Sequence, residues 1–382
     1  MSHVTASAPD LACFAVAAPG LEPCVADELR VLRGMHPMAV EAPEPGGVGF
    51  GTDRAGLYAA NLHLRVASRV LVRIGTFHAS AFRQLERQAA RLPWGEFVGG
   101  GRRVEFRVTS RKSRLYHQDA VAERLHAAVA SQAWGAIPHD GGDAPQEFVV
   151  RLFRDQCTIS ADASGELLHR RGYRLETAKA PLRETLAAAM LAGAGWTATA
   201  PLLDPLCGSG TIPIEAAMVA RGIPPGLARG FAFQRWPGFD ERLWSAVLDS
   251  ARERILPASP VRLLGSDRDP GAIEAATANA ARAGVGGDVE WRRAAISAIE
   301  PPLGPGWVVT NPPYGVRVGD RGRLRDLYAQ LGNVLRAKCP GWEVAMLTAH
   351  PALEGQTGLG LERRFSTENG GLRVRLMRAR VG

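Results

Sequence analysis

The sequence has almost no lysine: three (Lys112, Lys179, Lys338) among 46 basic residues, the remainder being arginine. No Gly-Lys-Ser/Thr occurs, which excludes a P-loop. Cysteine is scarce and scattered (Cys13, Cys24, Cys157, Cys207, Cys339), with no CxxC pair and no Cys/His ligand spacing. A disulfide framework and a zinc site are therefore not expected, and no metal is called for. No run of eighteen apolar residues occurs, so no membrane span is expected. The N-terminus, with Asp10 and no early basic cluster, makes a poor signal peptide, and a cytoplasmic location is the expectation. No segment repeats at a solenoid period.

What is present is positive charge. The formal net charge is +8 and the isoelectric point lies near 9.7, a balance that suits a polyanionic partner. Guanidinium groups make bidentate phosphate contacts that ammonium groups cannot, which favours nucleic acid. The abundance of Ala and Gly leaves genome base composition as a second source of the arginines. A chain of 382 residues is long enough for two or three domains.

The first half alternates short α and β units. An apolar run over 13–18 precedes a helical pattern with Leu21, Val25, Leu29 and Leu32 on one face. A short strand over 48–50, a helix capped by Asp53 through Leu64, and a strand over 66–74 follow. Next come a helix through Phe82, Leu85 and Ala89, and an alternating strand at Val104, Phe106 and Val108. A basic loop over 110–116, a helix from Asp119 to about Ala133 and a hairpin over 147–161 complete this half. Residues 162–174 read as a charged linker ahead of an Ala/Leu-rich helix that stops at Gly193 and Gly195. The pattern then changes. Strand-like runs at 201–203, 261–264, 307–310 and 344–347 alternate with helices at 211–221, 270–283 and 324–336. That is the rhythm of a Rossmann-like, doubly wound α/β sheet.

Three strand ends carry the chemistry. Asp204-Pro205-Leu206-Cys207-Gly208-Ser209-Gly210-Thr211 joins the first strand to a helix, and its glycines let backbone pass close to a ligand. Pro213 occupies the third glycine position of a dinucleotide fingerprint, which counts against a nicotinamide fold. The second strand ends in Asp267-Arg268-Asp269. Asp267 is placed for two ribose hydroxyls, and Asp269 for capping the helix that begins near Pro270. The third run is Thr310-Asn311-Pro312-Pro313-Tyr314-Gly315. Two prolines stiffen this turn and remove two donors, leaving the Asn311 amide oxygen and the Pro312 carbonyl as acceptors aimed at one point. Tyr314 offers a flat face beside them, or alternatively packs under Pro313. The set suits a planar –NH2 group held by both hydrogens while its ring is stacked.

Asp204–Thr211, Gly265–Asp269 and Asn311–Gly315 resemble motifs I, II and IV of S-adenosylmethionine-dependent amino-methyltransferases. The wording around them is closer to one family. Residues 165–174 (GELLHRRGYR), 180–190 (APLRETLAAAM) and 203–217 resemble the RlmL-type guanine-N2 methyltransferases of large-subunit rRNA. Pro19–Glu22, Gly46–Val48 and Ser113–Tyr116 are similar to that family's ferredoxin-like segment and THUMP RNA-binding domain. The resemblance implies a ferredoxin-like segment at 1–55, a THUMP domain at 56–164, a linker and leading helix at 165–195, and a class I methyltransferase domain at 196–382. It implies S-adenosylmethionine held by Asp204, Cys207, Gly208, Ser209, Gly210, Thr211, Asp267, Arg268, Ala295 and Asn311. Some members carry a second methyltransferase module after this one, and only the guanine-N2 activity is implied here. The family's acid after the third strand, which contacts the adenine amino group, is replaced by alanine in Ala294-Ala295, leaving that contact to backbone or water.

The implied reaction is methylation of guanine N2 in 23S rRNA, with tRNA as the runner-up substrate and a non-catalytic RNA-binding assembly factor as the other alternative. Asn311, Pro312, Pro313 and Tyr314 would form the catalytic grip. The target base must be unpaired or flipped out. Candidate RNA contacts are Arg102, Arg103, Arg111, Lys112, Arg114 and His117, together with Arg170 and Arg171 of the linker. The Gly- and Pro-rich stretch 222–244 reads as a substrate-side loop offering Arg229, Arg235 and Trp236, or as a structural insertion. A monomer is expected.

Overall fold

The computed structural model describes residues 11–132, 137–138, 144–175, 182–314 and 321–382, and structural statements below concern these. The first half comprises β1 (Leu11–Val16), α1 (Glu22–Arg33), β2 (Met38–Glu44), β3 (Gly47–Thr52), α2 (Arg54–His63) and β4 (Arg69–His78). It continues with α3 (Phe82–Ala89), β5 (Arg103–Arg111), α4 (Gln118–Gln132), β6 (Ile137–Pro138), β7 (Gln146–Phe153) and β8 (Gln156–Asp162). All eight strands share one sheet, ordered β2-β3-β1-β4-β8-β7-β5-β6. The join is β4, which pairs antiparallel with β1 on one side and β8 on the other.

Local causes are visible throughout. Helix α1 turns Val25, Ala26, Leu29 and Leu32 inward at helical spacing. The carboxylate of Asp53 accepts the N–H of Gly56 at 2.8 Å and starts α2, as its position predicts. Strand β2 is absent from the sequence-based reading because it buries only Met38, contains Pro43 and forms a sheet edge, so it shows no alternation.

The second half begins with α5 (Glu184–Ala194), which ends at Gly195 in the left-handed conformation (φ 86°). Then follow β9 (Leu202–Asp204), α6 (Thr211–Ala220), α7 (Glu241–Arg252), β10 (Leu263–Asp267), α8 (Pro270–Arg282), β11 (Val289–Arg293) and β12 (Trp307–Thr310). The last elements are α9 (Arg321–Lys338), β13 (Glu343–Thr348), α10 (Pro351–Gln356), β14 (Glu362–Asn369) and β15 (Leu372–Arg380). Seven strands lie in the order β11-β10-β9-β12-β13-β15-β14. The pairs among β9 to β13 are parallel, whereas the β14–β15 hairpin adds antiparallel to β13. The order reverses between β9 and β12, and an open α/β sheet binds ligands at such a switch point. No helix among the described residues is long and apolar enough to cross a membrane.

A buried polar network fastens the two halves. Arg171 is buried and donates to Glu215 of α6 at 2.6 Å and to the carbonyl of Arg65 at 2.7 Å. The Tyr173 hydroxyl donates to the other Glu215 oxygen at 2.9 Å. Arg65 in turn donates to the carbonyls of Met218, in the last turn of α6, and Ile223, just past it, at 3.4 and 2.6 Å. Glu28 of α1 accepts the N–H groups of Arg65 and Val66, each at 3.1 Å. Burial pushes the Glu28 carboxyl up to about 7 and the Arg65 guanidinium down to about 10.

These contacts correct one expectation and decide between two readings of another. Arg171, assigned to RNA, is an internal ion-pair partner, because the wholly buried Glu215 needs a cation beside it. The 222–244 stretch is a structural insertion. Arg229 donates to the carbonyls of Ser164, Glu166, Leu167 and Arg170, at 2.6 to 3.3 Å, and so grips the linker. The Trp236 indole donates to Gln146 at 2.7 Å and packs edge-on to Phe97. Phe233 stacks on Tyr58 with centroids 4.5 Å apart.

Arg171→Met should leave the buried Glu215 hydrogen-bonded to Tyr173 alone, with Arg65 as a cation it does not touch, and destabilise the chain by roughly 3–5 kcal/mol. The denaturant midpoint of unfolding measures this. Adding Glu215→Leu to the same chain should recover much of the loss.

Candidate active site

Asp267 organises the carboxyl edge of the second sheet. One of its carboxylate oxygens accepts the Gly208 N–H at 3.1 Å and the other accepts the Asp269 N–H at 3.0 Å. Its carbonyl accepts the Ala294 N–H at 2.9 Å. The loops that leave β9, β10 and β11 are thus tied to one residue, and each carboxylate oxygen keeps a lone pair for a ligand. Cys207 adds a fourth tie, its N–H donating to the Ser266 carbonyl at 3.0 Å.

The glycines here have separate reasons. Gly210 caps α6 at φ 85°, and a Cβ there would lie 2.7 Å from Trp291 and 2.9 Å from Ala276. A Cβ on Gly265 would lie 2.3 Å from the same indole. Trp291 therefore occupies the space that two absent side chains leave, and it holds the loops against β11. Gly208, at φ 53°, differs: a Cβ there would meet nothing within 4 Å, so the loop backbone faces open space.

Asp204 ends β9. It is buried, and one of its oxygens accepts the Thr310 hydroxyl at 2.7 Å and the Leu206 N–H at 3.1 Å. It therefore ties β9 to β12 and shapes the loop from below. Burial raises its carboxyl to about 7, against the hydrogen bonds from Thr310 and Leu206 that lower it. Ser209 and Thr211 are buried in the loop and first turn, Ser209 presenting its carbonyl to Asn279 at 3.1 Å. Arg268 and Ala295 are exposed at the edge. Asp269 caps α8 by accepting the Gly271 N–H at 3.0 Å, as its position predicts.

At the end of β12, the amide oxygen of Asn311 is buried and has no hydrogen-bond partner among the described residues. A buried acceptor left unmatched is costly unless a ligand donates to it. Pro312 is buried and Pro313 exposed. Tyr314 is half-buried, its hydroxyl accepting from the Asn369 side chain at 2.7 Å, and burial raises its pKa. Gly315 lies outside the described residues. No group of three or more His, Cys, Asp or Glu able to hold a metal occurs among the described residues.

The sequence-based reading missed Thr310, Trp291 and Asn369. Trp291 had no signal, since Gly210 and Gly265, whose missing side chains make its space, meet it only in the fold. Asn369 had none, because it reaches Tyr314 from the distant hairpin. Ser266 was also missed. Its buried hydroxyl has no partner among the described residues, and the residue lines a cleft with Ala294, Ala298 and Ile299.

Residues 171–377, more than half the chain, match the model of the RMKL-like methyltransferase domain. The chain belongs to that methyltransferase family. Residues 12–71 match the RlmL ferredoxin-like domain, so the α/β methyltransferase fold carries a ferredoxin-like domain before it. The chain is 37% identical over 370 residues to a putative RNA methyltransferase of Synechocystis, covering 96% of this chain and 95% of that one. It is 37% identical over 380 residues to the ribosomal RNA large subunit methyltransferase K/L of Syntrophotalea carbinolica, covering 95% of this chain and 53% of that one. The chain thus spans about half the length of the K/L relatives it matches. Among solved structures, SMU.472, a putative methyltransferase complexed with SAH, superposes with a TM-score of 0.87 at 29% identity, covering 97% of each chain.

A raised carboxyl pKa means the folded state holds a proton that the unfolded state releases, so Asp204 erodes stability as pH rises from about 4 to about 7. Asp204→Asn keeps a hydrogen-bonding oxygen without that titration. Its melting temperature relative to the unmodified protein should rise across the window and level off above it.

Proposed function

We propose that this methyltransferase transfers a methyl group from S-adenosylmethionine to the exocyclic N2 amine of a guanosine in 23S rRNA. The observation that carries the reading is the buried amide oxygen of Asn311, without a hydrogen-bond partner among the described residues, at the end of β12 on the same sheet as the strands that lead into the Gly208–Asp267 loops. Membership of the RMKL-like family and likeness to K/L large-subunit methyltransferases support methyl transfer to rRNA. SMU.472, with its bound SAH, supports the cofactor.

The residues present fit that cofactor. Gly208 presents open backbone, Asp267 keeps acceptor capacity for a ribose, and Cys207 to Thr211 lead into the N-terminus of α6. Arg268 and Ala295, exposed at the same edge, would hold the adenine end, with backbone in place of the family's acid. When bound, S-adenosylmethionine supplies a methyl group already activated as a sulfonium, which leaves the protein the task of positioning.

An aromatic amine is a poor nucleophile because its lone pair is spread into the ring. Asn311 Oδ1 and the Pro312 carbonyl accept its two N–H bonds and favour a pyramidal nitrogen whose lone pair points at the methyl carbon. These bonds tighten as positive charge develops on nitrogen, so they stabilise the transition state more than the ground state. Pro313 stiffens the turn, and Tyr314, oriented by Asn369, offers its ring to the base.

The N-terminal half, with a THUMP domain at 56–164, binds the RNA. Arg102, Arg103, Arg111, Lys112, Arg114, Arg170 and Arg235 are its proposed contacts, Arg170 being also paired with Glu166. A monomer in the cytoplasm completes the reading.

Asn311→Ala should retain S-adenosylmethionine binding by calorimetry and lose roughly 10²-fold in turnover, the order seen when one preorganised transition-state hydrogen bond is removed. Normal methylation by this variant would refute the grip. Incubation with protein-free 23S rRNA fragments and, separately, total tRNA, followed by nucleoside mass analysis, should give N2-methylguanosine in the rRNA alone. Label confined to tRNA would redirect the substrate assignment.

A further inference from the structure

We propose that the outer face of the N-terminal sheet around Phe153, with the adjoining loop through Tyr116, is a stacking platform for unpaired nucleotides of the RNA substrate. The inference rests on the RNA-directed reading above and adds the chemistry by which the RNA is held.

Strand β7 alternates strictly, and its last residue lies on the face turned from the core. Leu152 is 1% exposed, whereas the neighbouring Phe153 is 40% exposed. A single exposed phenylalanine is unremarkable by itself. Its surroundings are not. The Arg154 guanidinium lies 5.2 Å from the ring centroid, Arg111 stands opposite Phe153 in the parallel β5–β7 register, and exposed Arg151 shares the face two residues earlier. No carboxylate pairs with Arg111, Arg151 or Arg154 among the described residues.

The surface is also rigid, at a conformational cost. Arg154 and Asp155 form the two-residue β7–β8 turn with φ of 52° and 61°, values for which Asn-Gly is the favoured pair. Lys112 in the facing loop has φ 51°. Three of the four described non-glycine residues with positive φ therefore meet here. The loops are bolted together: the Arg154 N–H donates to the Arg111 carbonyl at 3.3 Å, and the Asp155 N–H to Ser113 at 3.0 Å. The Arg114 N–H donates to the Asp155 carboxylate at 2.7 Å, so the acid of this cluster serves the backbone. In the same bolted loop Tyr116 is 66% exposed, its ring 4.1 Å from that of His117.

Exposed rings set among cations on a preformed surface suit bases stacked on aromatic faces with phosphates on the arginines. A duplex keeps its bases stacked on each other and offers only phosphates, so the partner is single-stranded RNA.

The test uses the full chain and a fluorescent oligoadenylate, which lacks guanosine and so reports binding apart from methylation. Phe153→Ala and Tyr116→Ala should each weaken oligoadenylate binding by roughly tenfold without changing the salt slope. Binding of an RNA duplex should be unaltered. Arg154→Gln should lower the salt slope by about one, and Phe153→Trp should keep the affinity. Unchanged thermal melting of the variants confirms that they fold. Normal oligoadenylate binding by the double alanine variant, or an equal loss on duplex, overturns the platform while leaving the methylation reading standing. An unmodified chain that binds no RNA overturns both.

Discussion

The rest of the structure depends on a carboxylate that water cannot reach. Glu215 sits in the middle of α6, the helix whose first turn follows the Gly208–Gly210 loop, and it is satisfied by Arg171 and Tyr173 from the linker. Arg171 also holds the carbonyl of Arg65, and Arg65 holds the far end of α6. The ion pair is therefore a three-way joint among the N-terminal sheet, the linker and the cofactor helix. A buried pair of this kind is a weak source of net stability, because desolvation of both ions offsets their attraction. Its value is geometric. The arrangement in which Glu215 meets both Arg171 and Tyr173 sets the N-terminal sheet against the helix that follows the Gly208–Gly210 loop.

The same economy of contact recurs at the active edge. Asp267 welds three loops, Asp204 and Thr310 join β9 to β12, and Trp291 fills the hollow that Gly210 and Gly265 create. Rearrangement of any one loop would strand a hydrogen bond or open a void beside another. Preorganisation of this sort suits a reaction in which positioning carries the catalysis.

Much of this was legible in the sequence. The doubly wound sheet showed in alternating apolar runs and helical stretches, because parallel strands buried on both faces must be apolar. Asn311, Asp267 and Gly208 were legible because each sits where a strand ends, and their chemistry is local. Arg171 was not. An arginine in HRRGYR reads as a solvated cation until the fold sets it beside Glu215, 44 residues away. Arg229 and Trp236 left two readings open for the same reason, since partners in carbonyls and in Gln146 leave no trace in spacing. Strand β2 escaped because an edge strand with one buried residue has no period to detect.

The hydrogen bond from Asn369 to Tyr314 bears on how the protein comes into being. Synthesis is vectorial and domains tend to fold as they emerge. The N-terminal sheet, the ion joint and the Gly208–Asp267 loops can all be made before β14 exists. Asn369 is translated 55 residues after the tyrosine it orients. A nascent chain can therefore complete the Gly208–Asp267 loops before Tyr314 gains the hydrogen bond that orients its hydroxyl, and that bond arrives with the final hairpin.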